Sequence, residues 1–202
     1  MTGRAPMDSA RADRFQGEGH CVFRCRIDRF DRIVELAGDD VADFVETMPA
    51  AAPNGLIGSS IYDHVSGHFT RRFLRSFIED ARKSGGQPRR FYRCDSPHHR
   101  RLMEMRAIPE GDGSVRLEHR LVEESPFDFP IEVRAAAKRG LAYYLRCSNC
   151  CKLRPIRHGE WCEPEDYAQP GHAHQVVHTI CPACQSGQVV RRLVLRPAGD
   201  IS

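Results

Sequence analysis

The stretch 101-RLMEMRAIPEGDGSVRLEHRLV-122 decides the fold. Two strand-like segments, Arg101–Pro109 and Ser114–Val122, flank Glu110-Gly111-Asp112-Gly113, whose Gly and Asp residues suit a hairpin turn. Just upstream, Arg89–Cys94 reads as a third strand. Before it lies a long amphipathic helix from about His68 to Lys83. Phe69, Phe73, Phe77 and Ile78 lie on one face, and Arg71, Arg72, Arg75 and Arg82 largely on the other. Gly85-Gly86 ends it. Ser59-Ser60 can cap a brief helix through Val65, Pro49–Gly58 reads as a loop, and Asp40–Met48 as a short helix burying Val41, Phe44 and Val45. Nearer the start, Cys21, Phe23, Cys25 and Ile27 alternate with Arg24 and Arg26, Asp28–Asp31 supplies turn chemistry, and Ile33, Val34 and Leu36 make a second strand. The order is strand-strand, helices, then three strands. It predicts an α+β fold built on one antiparallel sheet, its helices gathered mid-chain.

Downstream, a different signal takes over. Cys147 and Cys150 form one C-x2-C, and Cys181 and Cys184 form another, with 30 residues between the pairs. Each such turn aims two thiolates at one point, and two turns complete a tetrahedral four-sulfur shell suited to structural zinc. Cys151 follows Cys150 directly, so its thiol is expected to point away from the shell. His178 offers an H-x2-C alternative in which it joins the shell in place of Cys184, although packing beside the shell or a hydrogen bond to a sulfur suits it better. Trp161, the only Trp, is expected beside the site, and Gly187–Leu195 is expected to add a strand.

Composition narrows the function classes. The chain has 202 residues, 41% hydrophobic and 28% charged, which is ordinary for a globular protein. Net charge is +3, concentrated after residue 130, and lysine occurs only at 83, 138 and 152. No run approaches the length needed to cross a bilayer. Nine cysteines without an apolar leader suit a reducing cytoplasm better than a disulfide framework. No phosphate-binding glycine loop and no nucleophile elbow occur, so catalysis is not expected.

Several segments resemble PAS-like sensory proteins. Asp28–Ile33 looks like the first PAS hairpin, Asp39–Phe44 like the short helix after it, and Ile57–Val65 like the segment before the long PAS helix. Tyr92-Arg93-Cys94-Asp95-Ser96-Pro97, with Arg100-Arg101 beyond, resembles a strand entry of a bacterial PAS-like subgroup. Similar proteins can carry a downstream segment matching Cys147–Cys150, Gly159-Glu160-Trp161 and His178–Cys184. The resemblance implies a five-stranded antiparallel sheet with helices on one face (20–125), a linker helix (126–146) and a small zinc-ribbon-like module (147–196). A flexible leader (1–19) and a tail (197–202) complete the expected organisation. Pro130–Arg146 reads as that helix, from Pro130 in its first turn and Ala135–Ala137.

The functional expectation is a cytoplasmic regulatory protein. Its PAS-like part would sense a small unidentified ligand in its cavity or dock a protein partner, and pairing through flanking helices would give a homodimer. Structural Zn2+ on Cys147, Cys150, Cys181 and Cys184 would fold the ribbon. The runner-up is a DNA-binding regulator using Arg146, Lys152, Arg154, Arg157, Arg191, Arg192 and Arg196 as a basic face. A redox switch could recruit Cys151 and Cys162 as resolving thiols. A remote alternative sets His158 and Glu160 with Cys181 and Cys184 in the pattern of zinc deaminases. His64 and His68 are candidate haem ligands whose bland reading is a helix cap or surface residue. Asp95 and Pro97 read as a strand-entry turn or part of a ligand or partner site.

Overall fold

The computed structural model describes residues 20–38, 53–136 and 142–186. The helix expected over Asp40–Met48, the strand over Gly187–Leu195, the leader and the tail lie outside the described residues.

Strands β1 (His20–Ile27) and β2 (Ile33–Ala37) form a hairpin across Asp28–Asp31. Asp28 makes this turn: its Oδ1 accepts from the backbone N–H of Phe30 at 2.8 Å and of Arg32 at 2.9 Å. A short helix α1 (Pro53–Leu56) stands inside the stretch expected to be a loop, and Leu56 is buried in the core. A 3-10 turn, Ile61–His64, follows with Ser60 as its cap, as expected. Helix α2 (His68–Ser84) ends at Gly85 in the left-handed conformation, φ 65°. Then come β3 (Arg89–Arg93), β4 (His99–Pro109) and β5 (Val115–Pro126), antiparallel neighbours throughout.

The sheet order is β2-β1-β5-β4-β3. The helical segment carries the chain from one edge of the sheet to the other, and the three-strand meander then returns to pair β5 with β1 in the middle. This is the α+β fold read from the sequence, with five antiparallel strands and the helices α1 and α2 placed between the second and third.

Alternation decides the two faces. Phe23, Cys25 and Ile27 of β1, Met103 and Ala107 of β4, and Val115 and Leu117 of β5 join Phe77, Ile78 and Ala81 of α2 in one core. The opposite face carries charge: Glu104 meets Arg89 and Arg106, and Glu118 meets Arg116 and Arg120. The expected apolar stripe of α2 holds at Phe77 and Ile78 but not at Phe69, which is 54% exposed at the first turn. Phe73 is half-buried under the Arg90 guanidinium, 4.0 Å from its ring centre.

A second sheet, β6-β9-β7-β8, corrects the linker-helix expectation. The described residues of Pro130–Arg146 include strand β6 (Val133–Ala135) and the start of β7 (Tyr144–Cys147), while residues 137–141 lie outside the description. Strand β8 is Leu153–Pro155 and β9 is His174–Thr179. Both β6 and β7 pair with β9 in parallel, so tertiary hydrogen bonding overrides the helical propensity of the alanines. Among the described residues no helix is long and apolar enough to cross a membrane.

The two sheets meet where α2 begins. Gly67, φ +88°, precedes α2, and a Cβ there would stand 2.7 Å from the His178 carbonyl oxygen on β9. Thr70 Oγ1 donates to Ser148 Oγ at 3.0 Å. Gly67→Ala should therefore destabilise the protein by about 2 kcal/mol or more, adding a backbone clash to a strained φ. Gly58→Ala, at φ +86° with open space around it, should cost only the strain, about 1 kcal/mol. Chemical denaturation of both variants measures the difference, and equal losses would show that the approach of β9 contributes nothing.

Inside the first sheet His119 is buried, its Nδ1 2.7 Å from the Tyr92 hydroxyl and its ring 5.4 Å from that of Phe23. Burial pushes its pKa down from 6.5 to about 4. The unfolded chain therefore binds the extra proton first as pH falls. Stability from this residue is complete above about pH 6.5 and lost progressively toward pH 4. His119→Gln should remove about one proton from the pH dependence of unfolding in that window, measured as the stability difference from the parent chain at each pH.

Candidate metal centre and its seam with the sheet

Parallel pairing of β7 with β9 places the two C-x2-C turns side by side. Cys147 ends β7 and is registered against Thr179, the last residue of β9; Cys181 follows two residues later. The Ser148 N–H donates to the Thr179 carbonyl at 2.8 Å and carries the pairing one residue further. The first turn closes through the Cys151 N–H to the Cys147 carbonyl, 3.0 Å, and the Cys147 N–H to the Lys152 carbonyl, 2.9 Å. The second opens a single-turn helix α3 (Pro182–Gln185), with Pro182 where a missing N–H costs nothing.

The four sulfurs of Cys147, Cys150, Cys181 and Cys184 all lie within 4.8 Å of one another, and all four residues are buried. Cys150 Sγ and Cys181 Sγ are 3.8 Å apart. A tetrahedron of thiolates around zinc, with bonds of about 2.3 Å, has edges of roughly 3.8 Å, so the shell has the right size. Two donors face the sulfurs: the Cys181 N–H to Cys147 Sγ at 3.4 Å, and Asn149 Nδ2 to Cys184 Sγ at 3.3 Å. Crowding splits the thiols. Hydrogen bonds from Cys150, Cys181 and Cys184 lower the Cys147 pKa, whereas the Cys147 sulfur raises that of Cys150. Cys181 is lowered as well, to about 7, while Cys184 is raised, so the sulfurs do not ionise alike and four thiolates together call for a cation. The cluster could hold a metal ion, and soft sulfur donors select zinc or an iron–sulfur type of centre.

The remaining sequence candidates fall outside this shell. Trp161 packs against it, as expected. Cys151, at φ +59°, turns its thiol away: Arg146 donates to its sulfur at 3.2 Å, and the thiol lies 3.4 Å from the Arg93 carbonyl. His178 is not in the four-residue group; burial first, and then the Arg146 charge, push its pKa down to about 4. His158 and Glu160 are exposed and not grouped with the sulfurs. Tyr167 donates to Cys162 Sγ at 3.7 Å. His64 Nε2 is 2.6 Å from Ser59 Oγ, and exposed His68 lies edge-on to Phe69 at 5.8 Å. The basic face is reduced: Arg146 is turned onto Cys151, Lys152 lies 3.6 Å from Glu163, and Arg154 stands over Trp161 at 5.7 Å. Arg157 is exposed, and Arg191, Arg192 and Arg196 lie outside the described residues.

Sequence reasoning missed the seam that joins this centre to the five-stranded sheet. Arg93, at the end of edge strand β3, is 4% exposed. Its guanidinium spans Asp95 at 2.5 and 3.1 Å and Glu163 at 2.5 Å. The two carboxylates outweigh desolvation and raise the Arg93 pKa, while Arg93 holds Glu163 below its usual range against the opposing effect of burial. The Arg93 N–H donates to the Asn149 carbonyl at 2.8 Å. Asn149 thus touches a cluster sulfur with its side chain and the first sheet with its backbone. Asp95 also accepts from the Arg101 N–H at 3.2 Å, which agrees with a strand-entry turn. The signal available in the sequence was Arg93 within the quoted strand-entry motif, but its distant partner Glu163 is 70 residues away.

No protein-family model matches the chain, and no curated protein matches it. Among solved structures it is weakly similar to a sensory box sensor histidine kinase from Vibrio cholerae. That match has 17% identity and a TM-score of 0.34, covering 50% of this chain and 80% of the other.

Purified protein is expected to carry one metal ion per chain by elemental analysis. Cys147→Ser and Cys184→Ser should each lose it, whereas Cys151→Ser should retain it. Equal loss in all three would place Cys151 inside the shell.

Proposed function

We propose that the chain is a signal-transduction protein in which a PAS-like sensing or docking domain is joined to a structural zinc module that contacts a protein partner. The observation that carries the reading is Asn149. It links a cluster sulfur to β3, so the metal module and an edge of the sensory-type sheet share one hydrogen-bonded unit. Zinc at Cys147, Cys150, Cys181 and Cys184 has a structural task here: four buried sulfurs complete the shell and leave no position for a substrate. The chemistry therefore points away from catalysis and toward a rigid module whose attachment to the sheet depends on metal.

Hydrogen exchange with and without a zinc chelator tests this coupling. Chelation should strip protection from the second sheet and from the Arg93 amide, while the central β5 amides stay protected. If the Arg93 amide keeps its protection in metal-free protein, the module and the sheet are independent and the proposal fails. Native mass measurement of the same sample reports a co-purified ligand and the oligomeric state.

A further inference from the structure

The solvent face of α2 carries a groove of about 630 Å³ lined by His68, Arg71, Arg72, Arg75, Ser76 and Glu79. These positions follow helical spacing on the side of α2 away from buried Phe77, Ile78 and Ala81. Arg71, Arg72 and Arg75 are exposed, and none forms an ion pair with a carboxylate among the described residues. Arg82, one turn further, contrasts with them: its guanidinium is engaged by Asp31 at 2.8 Å and by the Asp28 carbonyl at 2.8 Å. Two of the three arginines are also held in place. Arg71 Nε donates to the Val65 carbonyl at 2.7 Å, and the Arg75 guanidinium lies over the Tyr62 ring at 4.6 Å. Each keeps N–H groups for a ligand, with part of the ordering cost already met.

We infer that this groove docks a short acidic segment of a protein partner, with Arg71, Arg72 and Arg75 taking its carboxylates. Guanidinium groups match carboxylates in a two-point geometry that lysine lacks. From His68 to Arg75 the groove runs about 10 Å, two turns of a helix, which suits three or four acidic side chains. Glu79 then closes the groove with a carboxylate of its own, and exposed Asp80 stands beside it. Glu79 is ion-paired to Lys83 at 3.2 Å, so a polyanion continuing along the helix meets paired charge there, whereas a short acidic run stops before it. Exposed Phe69, next to His68, offers an apolar contact at the entrance. No cluster cysteine lines the groove, and binding there is read apart from metal content, so it stands or falls separately from the function proposed above.

The test uses the full metal-loaded chain and a fluorescein-labelled 11-residue helical peptide with four glutamates on one face. Anisotropy at low salt should show binding that weakens steeply with added salt. Arg72→Glu, which breaks no bond among the described residues, should lower affinity at least fivefold, and Arg71→Glu/Arg72→Glu/Arg75→Glu at least fiftyfold, both with unchanged metal content. The triple variant should instead bind the same peptide with lysine in place of glutamate. No binding to the parent chain at low salt, or equal binding by parent and triple variant, overturns the inference. Tighter, Arg-dependent binding of a single-stranded oligonucleotide of equal charge also overturns it, in favour of a nucleic-acid surface.

Discussion

A single buried arginine organises the meeting of the two sheets. Arg93 ends β3 with its side chain almost fully removed from water, a position that costs several kcal/mol unless opposite charge comes with it. Asp95 supplies that charge locally and Glu163 supplies it from the connection between β8 and β9. Removing one partner of such a pair typically costs 3–5 kcal/mol, about the scale of a small domain's whole margin of stability. Arg93, Asp95 and Glu163 are therefore best regarded as one ionic unit that ties the end of β3 to the connection between β8 and β9. The backbone of Asn149 and the thiol of Cys151 reach the same residue, so the first C-x2-C turn is anchored to the sheet at its tip.

The fold was legible where short-range pattern and tertiary outcome coincide. Alternation in Cys21–Ile27, the turn at Glu110–Gly113 and the Gly85 stop of α2 all depend on neighbours within a few residues. The cysteine pairs were legible for the same reason, because C-x2-C spacing is local chemistry. Residues 133–135 and 144–147 were not: their strand character comes from parallel pairing with β9, a partner some thirty to forty residues downstream, and alanine-rich composition points the other way. Phe69 was misread because period alone assigns a face, and the first turn of α2 runs past the core that buries Phe77. The Arg93–Glu163 contact leaves no trace in any window of sequence, since either residue by itself looks like ordinary surface charge.

The candidate centre depends on that non-local pairing as much as on its cysteines. Antiparallel β7 and β9 would place the two turns at opposite ends of the sheet; parallel register puts them within reach of one ion. Its sulfurs are neighbours because β8 leaves β7 on one side and β9 enters on the other. The pattern picks out the four cysteines, and the topology explains why they meet.

The seam has a further consequence for how the chain behaves in a crowded solution. A sheet's outer strand presents unpaired N–H and C=O groups that template the addition of another strand. Here the C-terminal end of β3 is covered by the Asn149–Cys151 turn, a piece of backbone whose shape is set by sulfur geometry. An ion held by the four sulfurs would thus double as protection of an adhesive edge. If that turn loosened when the site was empty, the bared edge would be a place where copies can zip together, and metal supply would then bear on solubility as well as on shape.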